Sequence, residues 1–224
     1  MIGALLPSAG PIADRPAELV ALVALLALAP AALVMLTSFL KIVVVLSIAR
    51  SALGAPQVPP STAVTGLALG LSLLVMAPVA ERAAALGAER PGEAGLAGAS
   101  ARLERAAAPL REFLARFARP DDRATFLEVA QRLRAGGGAP PAADDLAVLT
   151  PAFVVSELRR AFTLGFVVFL PFLAVDLVVA NVLLSLGLTQ LSPTSAALPF
   201  KLLLFVAVDG WRLLARALAL SYAP

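Results

Sequence analysis

The sequence predicts an all-α, membrane-type protein in which two long helical hairpins flank a small, charged helical insert. Of the 224 residues, 60% are hydrophobic and only 15% are charged, whereas an average soluble domain is about 25% charged. The mean hydropathy is +0.90. The charges are also unevenly placed, because 20 of the 33 charged side chains lie between Glu81 and Asp145. The flanks therefore contain long uncharged runs, which indicates helices built for a membrane or for burial in protein.

The first hairpin is predicted over residues 19–80, after an N-terminal segment of residues 1–18. Leu19–Leu40 is uncharged for 22 residues, and about 20 apolar residues suffice to cross the hydrocarbon core of a bilayer. A second helix is expected over Thr62–Ala80, because a proline precedes it and proline is favoured in the first helical turn. Residues 50–61 form the predicted turn between the two helices.

The charged insert is predicted over residues 81–148 and is expected to be helical. Apolar residues recur at helical spacing over Ser100–Ala118, where Pro109 interrupts or kinks the helix. Asp121 or Asp122 is expected to cap a second helix. The arginines of the insert are expected to form a solvated face, with binding of acidic lipid headgroups as the alternative. Positive charge near the first turn indicates a cytoplasmic tip and hence a periplasmic insert.

The second hairpin is predicted over residues 149–224. Ala161–Val175 and Leu177–Phe200 are its uncharged runs. Gly187–Pro199 is the predicted turn, because glycine favours the left-handed cap of the preceding helix and the two prolines are expected to prevent a new helix.

Charged side chains interrupt these apolar flanks, and five of them are candidates for burial: Lys41, Glu157, Asp176, Lys201 and Asp209. A charge at the bilayer centre costs about 2.5–3.5 kcal/mol on insertion scales, and such groups usually face protein or water. We therefore expect these residues to be paired across helices or subunits, or to line water. This expectation favours a larger helical assembly over the alternative of four conventional transmembrane helices in lipid.

Gly66 and Gly70 form a GxxxG pattern in the second predicted helix. Small residues four positions apart allow two helix backbones to approach closely. The pattern predicts a close helix contact there, with chance occurrence in an alanine-rich and glycine-rich chain as the alternative.

The composition excludes several kinds of chemistry. Cysteine and histidine are both absent, so disulfides, thiolate nucleophiles, Cys/His zinc sites and imidazole bases are excluded. The net charge of +3 is too small and too scattered to predict nucleic-acid binding. No cofactor and no metal site are predicted.

Three stretches carry a more specific signal: Met35–Gly54, Pro151–Phe166 and Leu198–Trp211. The second contains Pro-Ala-Phe followed by Ser-Glu-Leu, and the third contains Pro-Phe-Lys followed by Asp-Gly-Trp. Together they resemble the FliP/SctR export-apparatus subunit of type III secretion systems. The resemblance covers roughly residues 19–80 and 146–222.

The resemblance implies a core subunit of an export gate without catalysis. In this family five copies assemble with smaller partner subunits and one further subunit at the bacterial inner membrane. The subunit is multi-pass, and the gate lies largely on the periplasmic side. Unfolded secreted proteins pass through its centre, supported by a separate ATPase and a large export-gate protein. The short N-terminal segment, the Ser192-Pro193 pair and the ending Leu220–Tyr222 favour the injectisome branch over the flagellar branch.

The resemblance also implies a channel constriction. Family members often carry a Met-rich loop after the glycine that matches Gly187, and this loop seals the channel. The matching residues here are Leu188, Thr189, Gln190 and Leu191. The leucines supply apolar bulk, whereas the threonine and the glutamine weaken a seal. The alternative is a plain helix–helix turn at the protein surface.

Two other function classes remain as alternatives. An intramembrane aspartyl protease needs two carboxylates that share a proton, and Asp176 and Asp209 are the only aspartates of the second hairpin. A serine protease is the other enzyme considered, but the Gly-x-Ser-x-Gly motif of many serine hydrolases does not occur in the sequence. A small-solute transporter would be built from repeated halves, but the two hairpins show no convincing internal similarity.

Overall fold

The computed structural model describes residues 23, 27, 28, 30–55, 59–88, 95–135, 137 and 140–223. These residues form eight helices and no strand, which confirms the prediction of an all-α, membrane-type protein. The helices are α1 (Pro30–Leu36), α2 (Phe39–Ala52), α3 (Ser61–Leu86), α4 (Gly95–Phe117), α5 (Pro120–Leu133), α6 (Leu146–Ser185), α7 (Pro193–Ala207) and α8 (Gly210–Leu220).

The first apolar run is sharply bent rather than continuous, since α1 and α2 meet at 86°. The Thr37 hydroxyl donates a hydrogen bond to the Leu33 carbonyl oxygen at 2.5 Å and accepts one from the backbone N–H of Phe39. A side chain that bonds to nearby backbone groups competes with the helical ladder, which accounts for the break at this position. The hydroxyls of Ser38 and Ser72 are 3.2 Å apart and link the bend to α3.

Helix α3 follows α2 as predicted but extends to Leu86, six residues beyond the sequence-based boundary at residue 80. It contains Pro78 without ending there. Residues 81–86, which the sequence assigned to the insert, therefore belong to the second helix of the first hairpin.

Helix α6 is one continuous element of 40 residues, about 60 Å long at 1.5 Å per residue. The uncharged run before Asp176 and the first part of the run after it, as far as Ser185, thus belong to the same helix. Pro151 and Pro171 both lie inside it. Its length is twice the thickness of a bilayer core, about 30 Å, so only part of α6 can lie in lipid.

The predicted second turn is wrong in its extent. It occupies residues 186–192, because α7 begins at Pro193 and includes Pro199. Proline is well suited to the first helical position, where its fixed φ matches the helix and its missing N–H has no partner to lose. Ser192 supports this start, since its hydroxyl accepts a hydrogen bond from the backbone N–H of Ser195.

The last apolar segment is divided into α7 and α8 at Asp209, which adopts a left-handed backbone with φ of 52°. Gly210 is required beside it, because a Cβ there would collide with the Phe205 ring. The same ring packs edge-on against Trp211 at 5.1 Å between centroids. The break is thus held by a close aromatic contact.

The insert forms two helices, α4 and α5, as expected, but two details differ. Pro109 lies inside α4, which continues to Phe117. Neither Asp121 nor Asp122 caps the next helix, because α5 has Arg119 at its N-cap and Pro120 at its first position. Asp122 is instead buried and bonded to a side chain of α6.

Two helices, α3 and α6, are long and apolar enough to cross a membrane, and the bent α1–α2 pair makes a third candidate if it counts as one span. Helix α7 is apolar but has only 15 residues. The chain is thus a multi-pass membrane-type protein. Helices α2, α4 and α5 pack against α6, and buried polar side chains lie at these contacts.

Candidate functional site

A buried charge cluster at the carboxylate of Glu157 joins α2, α6 and the C-terminal residues. Glu157 is fully buried, and its Oε2 lies 3.3 Å from Nζ of Lys41, which is only 2% exposed. Its Oε1 accepts a hydrogen bond from Nη1 of Arg160 at 2.8 Å. The hydroxyl of Tyr222 also donates to Glu157, and Nζ of Lys41 lies 3.6 Å from the centre of the Tyr222 ring. The carboxylate is therefore satisfied by two cations and one hydroxyl.

Tyr222 keeps its proton in this cluster. Burial raises the pKa of its phenol well above the ordinary value, and the charge of Glu157 raises it further. The phenol therefore acts as a hydrogen-bond donor at physiological pH, whereas a phenolate beside Glu157 would be repelled.

A second set of bonds connects the same part of α6 to the insert. The Ser156 hydroxyl lies 2.6 Å from Oδ2 of Asp122 and accepts a hydrogen bond from the backbone N–H of Arg119 at 2.9 Å. Arg160 donates to the carbonyl oxygen of Phe117 at 2.7 Å. These bonds satisfy the backbone groups between α4 and α5 and fix the insert on α6.

The other three charges predicted from the sequence lie apart from this cluster. Nζ of Lys201 in α7 is 2.6 Å from Oδ2 of Asp176 in α6, and the lysine side chain is 3% exposed. The second carboxylate oxygen of Asp176 is buried and has no hydrogen-bond partner in the described chain. Asp209 pairs locally with Arg212 at 2.8 Å, and both side chains are exposed. The structure thus brings Lys41 to Glu157 and Lys201 to Asp176, and it leaves Asp209 at the surface.

The glycines of the GxxxG pattern make no close contact within the described chain. Neither Gly66 nor Gly70 is buried, and a Cβ at either position would meet nothing within 4 Å. The close helix contact inside the chain occurs at Gly165, where a Cβ would collide with Cδ1 of Ile48. Sequence reasoning missed Gly165, although a glycine within a long apolar helix is the signal that such a contact produces.

The residues proposed for the constriction lie in the turn between α6 and α7. Leu188, Thr189, Gln190 and Leu191 are all exposed. Gly187 has φ of 73°, so it provides the predicted left-handed cap. The turn therefore presents two exposed leucines to its surroundings.

A large apolar surface remains uncovered on α3, α6 and α7. Large side chains on it are more than half exposed, among them Leu73, Phe162, Phe166 and Phe200. An apolar groove of about 620 Å³ also lies between α6 and α7. Exposed apolar area of this extent marks contact with lipid or with other proteins. In the described residues no group of His, Cys, Asp or Glu is arranged to hold a metal ion.

Sequence comparisons relate this chain to known proteins. The model of the FliP family matches residues 22–218. The chain is 44% identical over 217 residues to the flagellar biosynthetic protein FliP of Pectobacterium carotovorum, covering 97% of this chain and 83% of that protein. It is 42% identical over 215 residues to the hypersensitivity response secretion protein HrcR of Ralstonia nicotianae, covering 92% and 97%. It is also 42% identical over 207 residues to the Yop proteins translocation protein R of Yersinia pestis, covering 92% and 95%.

Proposed function

Because the chain belongs to the FliP family, we propose that it is a core subunit of the type III secretion export gate, which forms a conduit for unfolded proteins. The observation that carries this function is identity above 40% to flagellar and secretion export proteins over more than nine-tenths of the chain. None of these relatives is named as a small-solute transporter or an enzyme.

The geometry supports a role in assembly. Buried ion pairs join helices within the chain, while many apolar side chains of α3, α6 and α7 are exposed. Apolar surface of this extent is covered by lipid or by neighbouring subunits in the working protein. We place five copies around one axis, together with smaller export-apparatus subunits, one further subunit and the large export-gate protein.

The proposed location is the bacterial inner membrane, with the insert on the periplasmic side. Helices α3 and α6 have the length and composition for spanning. The chain contributes no catalytic step to transport. Asp176 and Asp209 form separate ion pairs and do not share a proton as the two carboxylates of an aspartyl protease do. Asp176 is committed to Lys201, and Asp209 to Arg212.

The turn at residues 188–191 is the proposed constriction. An irregular, uncharged segment that joins two apolar helices needs protein or a water-filled cavity to satisfy its backbone groups. Five copies of Leu188 and Leu191 around one axis would form an apolar collar, which can hold back ions by dewetting yet yield to an unfolded chain.

The mass of the purified complex tests this function. The tagged chain is co-expressed with its export-apparatus subunits, solubilised in detergent and weighed by native mass spectrometry. We expect a large hetero-oligomer containing five copies of the chain. A monomer or dimer without partner subunits would instead favour a small-solute transporter and would refute the proposed function.

A further inference from the structure

A cationic cleft of about 670 Å³ lies where the insert meets α6. Its charged lining consists of Lys41, Arg116, Arg119, Arg159 and Arg160. Arg116 and Arg159 are exposed, whereas Arg119 and Arg160 are partly buried and Lys41 is buried.

The positive charge of this cleft is only partly neutralised within the described chain. Glu157 serves both Lys41 and Arg160, and Asp121 pairs with Arg119 at 3.2 Å. The remaining two arginines form no ion pair with a described residue. Arg116 donates a hydrogen bond to the Ala223 carbonyl oxygen, and the guanidinium of Arg159 has no described partner. Five cations therefore share two carboxylates, which leaves a site suited to an anion.

The cleft stands at the boundary between the charged and the apolar parts of α6. Leu164 lines the cleft, and Val167, one turn further along the same face, is 58% exposed. From Leu164 to the end of the helix at Ser185 there are 22 residues, which span about 33 Å. A bilayer core is about 30 Å thick. The cleft therefore lies one membrane thickness from the far end of α6.

We propose that this cleft binds the phosphate of an anionic phospholipid, with Arg116 and Arg159 as its principal ligands. Guanidinium groups bind phosphate oxygens through paired, charge-assisted hydrogen bonds. The acyl chains then lie along the exposed apolar face that begins at Leu164. The proposal rests on the proposed membrane location, and it places the cleft at the level of the lipid headgroups.

A phospholipid fits this site better than an acidic segment of another protein. Its phosphate is joined to a hydrocarbon chain, and the lining changes from cationic to apolar within one helical turn, from Arg160 to Leu164. An acidic peptide without an apolar helix beside it would complement the arginines but not the apolar face that follows them. Basic pockets beside membrane helices bind anionic headgroups for the same reason.

Lipid binding to the purified full-length chain in detergent tests the proposal. Native mass spectrometry counts bound phosphatidylglycerol and, separately, phosphatidylcholine with the same acyl chains. The cleft variant is Arg116→Gln with Arg159→Gln, and the matched control is Arg132→Gln with Arg134→Gln. Both variants remove two arginine charges. The cleft variant takes one from α4 and one from α6, whereas both control arginines lie at the end of α5, outside the cleft lining. Circular dichroism establishes that both variants keep their helices.

We expect the wild-type chain and the control to prefer phosphatidylglycerol, and the cleft variant to bind it about thirtyfold more weakly. Phosphatidylcholine binding should be equal in all three. Equal weakening in the control, or no preference for the anionic lipid, would overturn the proposal.

Two further measurements separate the other occupants. Inorganic phosphate that binds the chain as tightly as the lipid would assign the cleft to a soluble anion. Normal lipid binding by a cleft variant that fails to enter the hetero-oligomer would assign it to an acidic partner segment. Either result contradicts the lipid proposal. Failure of the proposed function would instead appear as absence of the hetero-oligomer with the wild-type chain.

Discussion

Replacing Glu157 with glutamine removes the only carboxylate that Lys41 contacts among the described residues. The replacement keeps the shape of the side chain but not its charge. Lys41, which is 2% exposed, then has no anionic partner among the described residues and keeps only neutral contacts, the amide of the new glutamine and the Tyr222 ring. Breaking a buried ion pair by removing one partner costs about 3–5 kcal/mol, because the other charge stays buried and uncompensated.

The reverse replacement, Lys41→Met, should cost less. Glu157 would still accept hydrogen bonds from Arg160 and Tyr222, so a cost of about 1–3 kcal/mol is expected. The double variant removes both charges and leaves no unpaired lysine. We expect its loss of stability to fall below the sum of the single losses by at least about 1 kcal/mol.

Thermal unfolding of the detergent-solubilised chain measures these differences through the fluorescence of Trp211, the single tryptophan. A loss of about 3–5 kcal/mol corresponds to a fall in Tm of about 10 °C for a chain of this size. Glu112→Gln is the matched control, because the Glu112–Arg82 pair is more than half exposed and such pairs contribute less than about 1 kcal/mol. Additive effects of the two single replacements, or equal losses for Glu157→Gln and Glu112→Gln, would refute the coupling within the cluster.

The remaining predictions concern packing and the constriction. Gly66→Leu should leave the Tm of the isolated chain unchanged, since nothing in the described chain approaches that position, but should block assembly; normal complex yield would make the GxxxG pattern accidental. Gly165→Leu should destabilise the chain by about 1–3 kcal/mol through overpacking, and Ile48→Ala, which removes the side-chain atoms that the new leucine would meet, should restore part of the Tm; no effect of Gly165→Leu would show that the helices separate freely there. Leu188→Ala with Leu191→Ala should raise ion leakage across membranes that contain the assembled gate, and unchanged leakage in an intact complex would leave the segment as a simple turn.

Local patterns were sufficient to predict the helical class and the position of the apolar segments. The extent of each helix was less predictable where proline was involved. The sequence pattern predicts that Pro193 and Pro199 keep the second turn open, yet Pro193 begins α7 and Pro199 lies inside it. Proline disrupts a helix interior but is favoured at the first position, and the residue where the helix starts decides which effect applies.

The bend between α1 and α2 also escaped prediction. Thr37 lies in a run whose hydropathy suggests a continuous helix, and at the break its hydroxyl accepts a hydrogen bond from the backbone N–H of Phe39. Hydropathy does not record which backbone group a hydroxyl will choose. The same limit applies to Asp122, one of two aspartates that the sequence pattern offers as a helix cap, which instead bonds to Ser156 across the interface with α6.

The sequence by itself determined which charged side chains would need a partner, and the tertiary structure alone decided which residues are those partners. A charge within an apolar run is costly wherever the run is placed, so Lys41, Glu157, Asp176 and Lys201 could be identified from their positions in the sequence. Their partners could not, because each pair joins two different helices, and pairing depends on how those helices pack. Gly165 illustrates the same division: a missing side chain is visible in the sequence, but the helix that occupies the space becomes apparent only when α2 is seen lying against α6.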